Sequence, residues 1–266
     1  MSSVEISVVV PVYNERQNIS PLLREIADAL ADRSFEIIVV DDASTDGTAF
    51  ATAAARTSGI PEIRLLRHSF RCGQSAAVHT GVIHARAEWV ATLDGDRQSD
   101  PRDLRGFLRA RADPANADVS LFIGHRALRR DTWLRKAQSR IANRVRRWLL
   151  HDGTPDTGCG IKLMHRDTFL RLPYFDHMHR FLPALFQRAG TRVVSLPVNH
   201  RPRVWGVSKY GLLDRLGEGI VDLLGVMWLQ RRCKQGLAVS EEWADRVRDI
   251  RLREDATAWP QRSAKN

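Results

Sequence analysis

Cysteine is scarce in this chain of 266 residues. Cys72, Cys159 and Cys233 stand far apart, an odd number without metal-ligand spacing, which excludes a disulfide framework and a cysteine-based zinc site. Long hydrophobic runs are also missing. The longest, such as Ile6 to Val12 and Trp89 to Leu93, fall far short of the roughly 20 residues that span a bilayer, so no transmembrane helix is expected. No basic stretch and no cleavable apolar region precede the strand-like sequence at Ile6, and the expectation is a cytoplasmic protein. There is no G-x-G-x-x-G after the first strand and no Walker lysine motif, which removes the usual dinucleotide and P-loop readings. Internal repeats and low-complexity linkers are absent too.

What is present is a core-forming composition, 43% hydrophobic, with a strong positive balance: a formal net charge of +10 and a pI near 10.3. Such a chain is globular, and its charge calls for an anionic partner: nucleic acid, an acidic membrane face or a phosphorylated substrate. The excess is local. Between Arg126 and Arg147 nine Lys or Arg stand against one acid, Asp131.

Short β-branched runs alternate with segments of helical spacing. Strands are expected at Ile6 to Val12, Phe35 to Val40, Ile63 to Leu66 and Trp89 to Leu93, with helices between them, the first capped by Asn18 or Ser20. Four strand–helix alternations in about 110 residues predict a mostly parallel sheet. Further on, Val119 to Gly124 and Arg192 to Val198 read as strands, with another suggested at Ile161 and Leu163. Trp133 to Leu150, His179 to Ala189 and Leu212 to Leu229 read as helices. In the first of these, Leu134, Ala137, Ile141, Val145 and Trp148 share an apolar face opposite arginines.

The chemistry concentrates where Trp89 to Leu93 stops at Asp94-Gly-Asp96. Alternation along an extended backbone points both carboxylates the same way, toward one hard cation, with Gly95 permitting close approach. An Asp-rich turn is the plain alternative. Glu15, after the first strand, and Asp41 and Asp42, after the second, would meet Asp94 and Asp96 at one edge of a parallel sheet, where ligands of open α/β sheets bind. Asp41 and Asp42 are equally suited to capping the next helix.

Taken together, Pro11-Val-Tyr-Asn-Glu15, Asp41-Asp-Ala-Ser-Thr-Asp-Gly-Thr48, Gly73-Gln-Ser-Ala-Ala77, Asp94-Gly-Asp-Arg-Gln-Ser-Asp-Pro101 and Arg203-Val-Trp-Gly-Val-Ser-Lys-Tyr210 resemble the ordered motifs of glycosyltransferase family 2. The similarity runs from about Ile6 to Arg232 and is strongest to the dolichyl/polyprenyl-phosphate mannosyltransferase branch. It implies a GT-A fold, an α/β Rossmann-like transferase, with a nucleotide-sugar donor (GDP-mannose or a UDP-sugar) and Mg2+ or Mn2+. By motif, Pro11, Tyr13, Glu15 and Asp42 line the nucleotide pocket, Asp94, Asp96 and Gln98 hold the metal, and Arg203, Ser208 and Lys209 clamp phosphate. Arg126, Arg135 and Ser139 match the acceptor-phosphate positions, and the acceptor implied is a polyprenyl monophosphate.

The expected organisation is a catalytic domain at 1–210, an amphipathic helix of membrane-interfacial character at 211–235, and a surface helix with a disordered tail at 236–266. Many members carry C-terminal transmembrane helices that this sequence lacks, which points to peripheral attachment at an anionic membrane surface. Two other readings compete. One keeps the donor and makes the acceptor a polysaccharide or glycolipid hydroxyl, with Asp156 as base. The other makes the basic helix a nucleic-acid surface, which leaves the acidic loops without a role, so no nucleic acid is expected.

Overall fold

The computed structural model describes residues 4–126, 146–202 and 212–232. Seven strands, β1 (Ile6–Val12), β2 (Phe35–Asp41), β3 (Ile63–Arg67), β4 (Trp89–Thr92), β5 (Val119–Arg126), β6 (Lys162–His165) and β7 (Arg192–Val198), form one sheet in the order β3-β2-β1-β4-β6-β5-β7. Around them lie α1 (Arg16–Ala29), α2 (Thr48–Thr57), α3 (Gln74–His84), α4 (Leu104–Ala112), α5 (Arg166–Leu170), α6 (Leu182–Arg188) and α7 (Leu212–Arg231). Among the described residues only β6 runs against its neighbours, so the sheet is mostly parallel, as the alternation of elements predicts.

β1 is a continuous apolar run because both of its faces are covered, the usual state of a central parallel strand. Val8 and Val10 pack beneath Ile19, Leu22, Leu23 and Ile26 of α1. Val9 joins the opposite layer with Val78 and Val82 of α3 and Leu182, Leu185 and Phe186 of α6. Each such side chain, fully buried, contributes about 1.5–3 kcal/mol. The β3-β2-β1-β4 order sets the ends of β1, β2 and β4 side by side, with Val12 opposite Asp41 and Val9 opposite Thr92.

Several local expectations are corrected. α1 starts at Arg16, ahead of both Asn18 and Ser20; Glu15 occupies the cap position and accepts a bond from the buried Asn18 amide at 2.7 Å. Asp41 and Asp42 do not cap α2. That position falls to Gly47, in left-handed backbone, and Asp46 accepts from Thr48 N at 3.0 Å. The helix expected from His179 begins at Leu182 after a 3-10 turn, Met178–Arg180; Pro183, lacking an N–H, suits its first turn.

Most of the basic segment lies outside the described residues. At its end, 146–150 is helical, and two positions depart from the expected faces: Arg146 is buried and Trp148 is 73% exposed. Arg146 turns inward because the following turn supplies its partners, Asp152 Oδ2 at 3.2 Å and Thr154 O at 2.7 Å, together with Thr157 Oγ1.

α7 packs onto the same compact unit as the sheet. Val226 is fully buried, and Arg188 Nε donates to Leu229 O at 2.9 Å. Its other side exposes Ile220, Val221, Leu224 and Trp228. No helix among the described residues is long and apolar enough to cross a membrane.

Gly81 of α3 lies directly on β1: a Cβ there would sit 2.3 Å from Val9 Cγ1. Gly81→Ala gains about 1 kcal/mol of helix propensity but overpacks the core at a cost of about 1–3 kcal/mol. The expected result is a melting temperature a few degrees lower by thermal denaturation; a higher one would contradict this seating of α3.

Candidate active site

β4 ends in a loop that folds back over β1. At Gly95 a Cβ would lie 2.7 Å from Val12 Cγ1 and 3.4 Å from Pro11 O, so only glycine lets the loop close down here. Asp94 is packed against a second glycine, where a Cβ on Gly160 would meet Asp94 Oδ2 at 2.2 Å. Thr92 Oγ1 donates to Gly160 O at 2.8 Å, tying β4 to the turn before β6, and Gln74 Nε2 donates to Asp94 Oδ1 at 2.9 Å.

Burial, and then the neighbouring Asp96, push the Asp94 carboxyl above its ordinary value, against the pull of Lys162 and Arg126. Asp96 Oδ1 accepts from Gln98 N at 3.1 Å, so Asp94, Asp96 and Gln98 share one short turn. Two carboxylates and an amide oxygen are hard donors suited to Mg2+ or Mn2+, and a cation between them would offset the burial and the Asp96 repulsion that raise Asp94. The residues fit the metal that the motif implies.

The loops after β1 and β2 are stitched together. Asn14 N donates to Ser44 Oγ, Thr45 N to Asn14 Oδ1 and Glu15 N to Thr48 Oγ1, each at 2.9 Å. Tyr13 has the Arg71 guanidinium 4.4 Å above its ring. Asp42 is a brace: its oxygens accept from Cys72 N and Gly73 N and meet His68 Nδ1, all at 2.8 Å, which holds the entry to α3. The ligand atoms of Asp42, His68 and Cys72 all lie within 4.8 Å of one another, yet these bonds already engage the carboxylate. Asp41, expected in the crevice, is fully buried and closes its own turn by accepting from Ser44 N at 2.8 Å.

Arg126 reaches the end of β5 and pairs in bidentate fashion with Asp156, at 2.7 and 2.8 Å. Sequence reasoning missed Lys162. It stands 5% exposed beside Asp94 in a small cavity shared with Gln74, Thr92 and His179, its ammonium donates to Cys159 O, and burial lowers its pKa. A lone lysine within the apolar run Ile161-Lys-Leu-Met164 was the available signal. His179 contacts Ser75 Oγ at 2.7 Å, and burial holds its pKa well below the ordinary histidine value. Arg135, Ser139, Arg203, Ser208 and Lys209 lie outside the described residues.

Fold and acidic loops together define a GT-A glycosyltransferase. The profile of glycosyl transferase family 2 matches residues 7–172, and the chain belongs to that family. It is 34% identical over 241 residues to dodecaprenyl-phosphate galacturonate synthase of Rhizobium johnstonii, covering 87% of this chain and 69% of that protein. It is 30% identical over 212 residues to undecaprenyl-phosphate 4-deoxy-4-formamido-L-arabinose transferase of Sodalis glossinidius, covering 79% of this chain and 64%, under two thirds, of that one. Among solved structures it is similar to glucosyl-3-phosphoglycerate synthase from Mycobacterium tuberculosis with Mn2+, uridine diphosphate and phosphoglyceric acid. That likeness has a TM-score of 0.65 at 18% identity and covers 88% and 80% of the two chains. A mannosyltransferase from Pyrobaculum calidifontis with GDP-Man and Mn2+ gives a TM-score of 0.57 at 22% identity, over 98% and 77%.

Two predictions follow from the geometry. Gly160→Ala should displace the Asp94 carboxylate and lower kcat/KM by about 100-fold, the scale of a 1 Å misplacement, with the melting temperature little changed. The second concerns Asp100, which accepts from Arg102 N at 3.1 Å and pairs with Arg102 and Arg201, each at 2.8 Å. Burial opposes ionisation, but the Arg102 and Arg201 bonds outweigh it and bring the pKa from 3.8 down to about 2. A lowered folded pKa gives stability that is present above about pH 4 and lost as the pH falls toward about 2. Asp100→Asn should therefore cost about 1–2 kcal/mol near neutral pH, with the difference from wild type closing across that acid window in denaturant titrations.

Proposed function

We propose that this enzyme transfers one sugar from a nucleotide-sugar donor to a polyprenyl monophosphate, with inversion at the anomeric carbon. An acceptor phosphate oxygen forms the new bond to that carbon as the bond to the nucleoside diphosphate breaks. The observation that carries this reading is the Arg126–Asp156 pair. A hydroxyl acceptor wants a carboxylate base, and Asp156, the one the sequence offers, is engaged on both oxygens by Arg126. A phosphate acceptor is largely ionised at neutral pH and requires no such base. The relatives from Rhizobium and Sodalis, both named for polyprenyl-phosphate products, support the same acceptor.

In this reading Asp94, Asp96 and Gln98 hold Mg2+ or Mn2+, which when bound supplies charge stabilisation to the departing diphosphate. Pro11, Tyr13, Glu15 and Asp42 form the nucleotide side. Arg126, oriented by Asp156, receives the acceptor phosphate with Arg135 and Ser139, since a planar guanidinium suits phosphate. Arg203, Ser208 and Lys209 hold donor phosphates. The positive balance of the chain and the Rhizobium relative favour an acidic sugar, galacturonic acid, as the donor to try first. The exposed Ile220, Val221, Leu224 and Trp228, with Arg231 and Arg232 at the helix end, suit the interface of an anionic membrane, where the lipid acceptor resides.

The test is transfer to undecaprenyl phosphate in detergent from a panel of UDP- and GDP-sugars with Mg2+ or Mn2+. One donor should give product, and chelator or Asp96→Ala should abolish it. If no donor yields a lipid-linked product while donor and metal still bind, the acceptor is a saccharide hydroxyl instead. For the membrane face, Leu224→Ser with Trp228→Ser should reduce cosedimentation with anionic vesicles by about tenfold or more, given about 0.8 kcal/mol per buried CH2, without changing transfer to a short-chain acceptor in solution.

A further inference from the structure

Arg97 lies between Asp96 and Gln98 in left-handed backbone, φ 61°, a conformation that a non-glycine residue keeps only where its surroundings hold it. The hold comes from another element. Arg97 Nη2 donates to Glu25 Oε1 of α1 at 2.5 Å, and the second oxygen of Glu25 accepts from Arg201 Nη1 at 2.5 Å. Arg201 returns to the same loop from the exit of β7. Its Nη2 lies 2.8 Å from Asp100 Oδ1 and its backbone N donates to Gln98 O at 2.9 Å. Ser99 and His200 form an antiparallel bridge alongside.

One carboxylate thus joins the middle of the Asp94–Asp100 loop to the strand exit that supports its far side. Isolated surface ion pairs contribute little, but these side chains are less than a third exposed, Glu25 at 28%, Arg97 at 23% and Arg201 at 30%, and they share partners with Asp100 at 4%. Glu25 belongs to none of the loops that carry the candidate ligands. Its place in the network is therefore one of support.

We propose that Glu25 is a positioning residue for the transfer reaction: with Arg97 and Arg201 on its two oxygens, it sets the turn that presents Asp96 and Gln98 to the divalent cation. This assignment rests on the metal-dependent reading above. The network would act as an outer layer of the metal site, where removing a group that orients ligands costs about 10–100-fold in affinity.

The experiment is Mn2+ binding by electron paramagnetic resonance to the full chain with saturating UDP, repeated with GDP, for wild type, Glu25→Ala and the isosteric Glu25→Gln. Thermal unfolding of the same proteins without metal runs alongside. Because Glu25 stands one layer further out than a direct ligand partner, the expected weakening of Mn2+ binding in Glu25→Ala is about tenfold, with Glu25→Gln intermediate. The Mg2+ concentration for half-maximal transfer should rise in parallel, with kcat at saturating metal within about threefold of wild type. Wild-type affinity in both variants, even with a lowered melting temperature, overturns the proposal and leaves Glu25 as a brace of the fold. Should wild type bind no Mn2+ with either nucleotide, the metal-dependent reading falls and this assignment falls with it.

Discussion

Two carboxylates of like charge, Asp94 and Asp96, sit one residue apart at the end of β4, a strand buried along its whole length. Much of the surrounding structure is organised to hold that repulsion in place. Two glycines, Gly95 and Gly160, remove the side chains that would keep the loop from closing on β1 and on the turn before β6. Gln74 donates to Asp94 from the start of α3, and Lys162 and Arg126 supply opposite charge from β6 and β5. Unlike charges on neighbouring strands thus offset like charges on one loop.

The same crevice depends on hydrogen bonds between loops that carry none of the candidate metal ligands. Asn14, Ser44, Thr45 and Thr48 bind the ends of β1 and β2 to each other, and Asp42 fastens the segment before α3. Polar side chains that satisfy backbone N–H groups here keep irregular loops in a single arrangement without apolar packing. Rigid strands below and satisfied loops above are what hold site residues in place.

Charge and apolar surface divide the remaining work. Arg126 and Arg146, part of one basic run, are drawn inward by Asp156 and Asp152, whereas Arg147 and Trp148 face outward. α7 does the same with apolar residues. Val226 is buried against the domain and the Ile220–Leu224–Trp228 stripe is left exposed.

The order of elements, the mostly parallel sheet and the acidic loops were legible in the sequence, because β-branched runs and Asp-Gly turns are local signals with periods short enough to read along the chain. Residues 7–172 likewise carry enough local pattern to mark the family. The partners of those residues were not legible. Whether Asp42 caps a helix or braces α3, whether Asp156 serves as a base or holds Arg126, and whether Arg146 or Trp148 faces the solvent depend on groups about 30 positions away or on how a turn folds back. Lys162 and Glu25 gained their significance only when β6 came beside β4 and the exit of β7 came beside α1. Local periodicity determines which elements form, whereas the pairing of charges is decided by which strands become neighbours, and that is a property of the folded sheet alone.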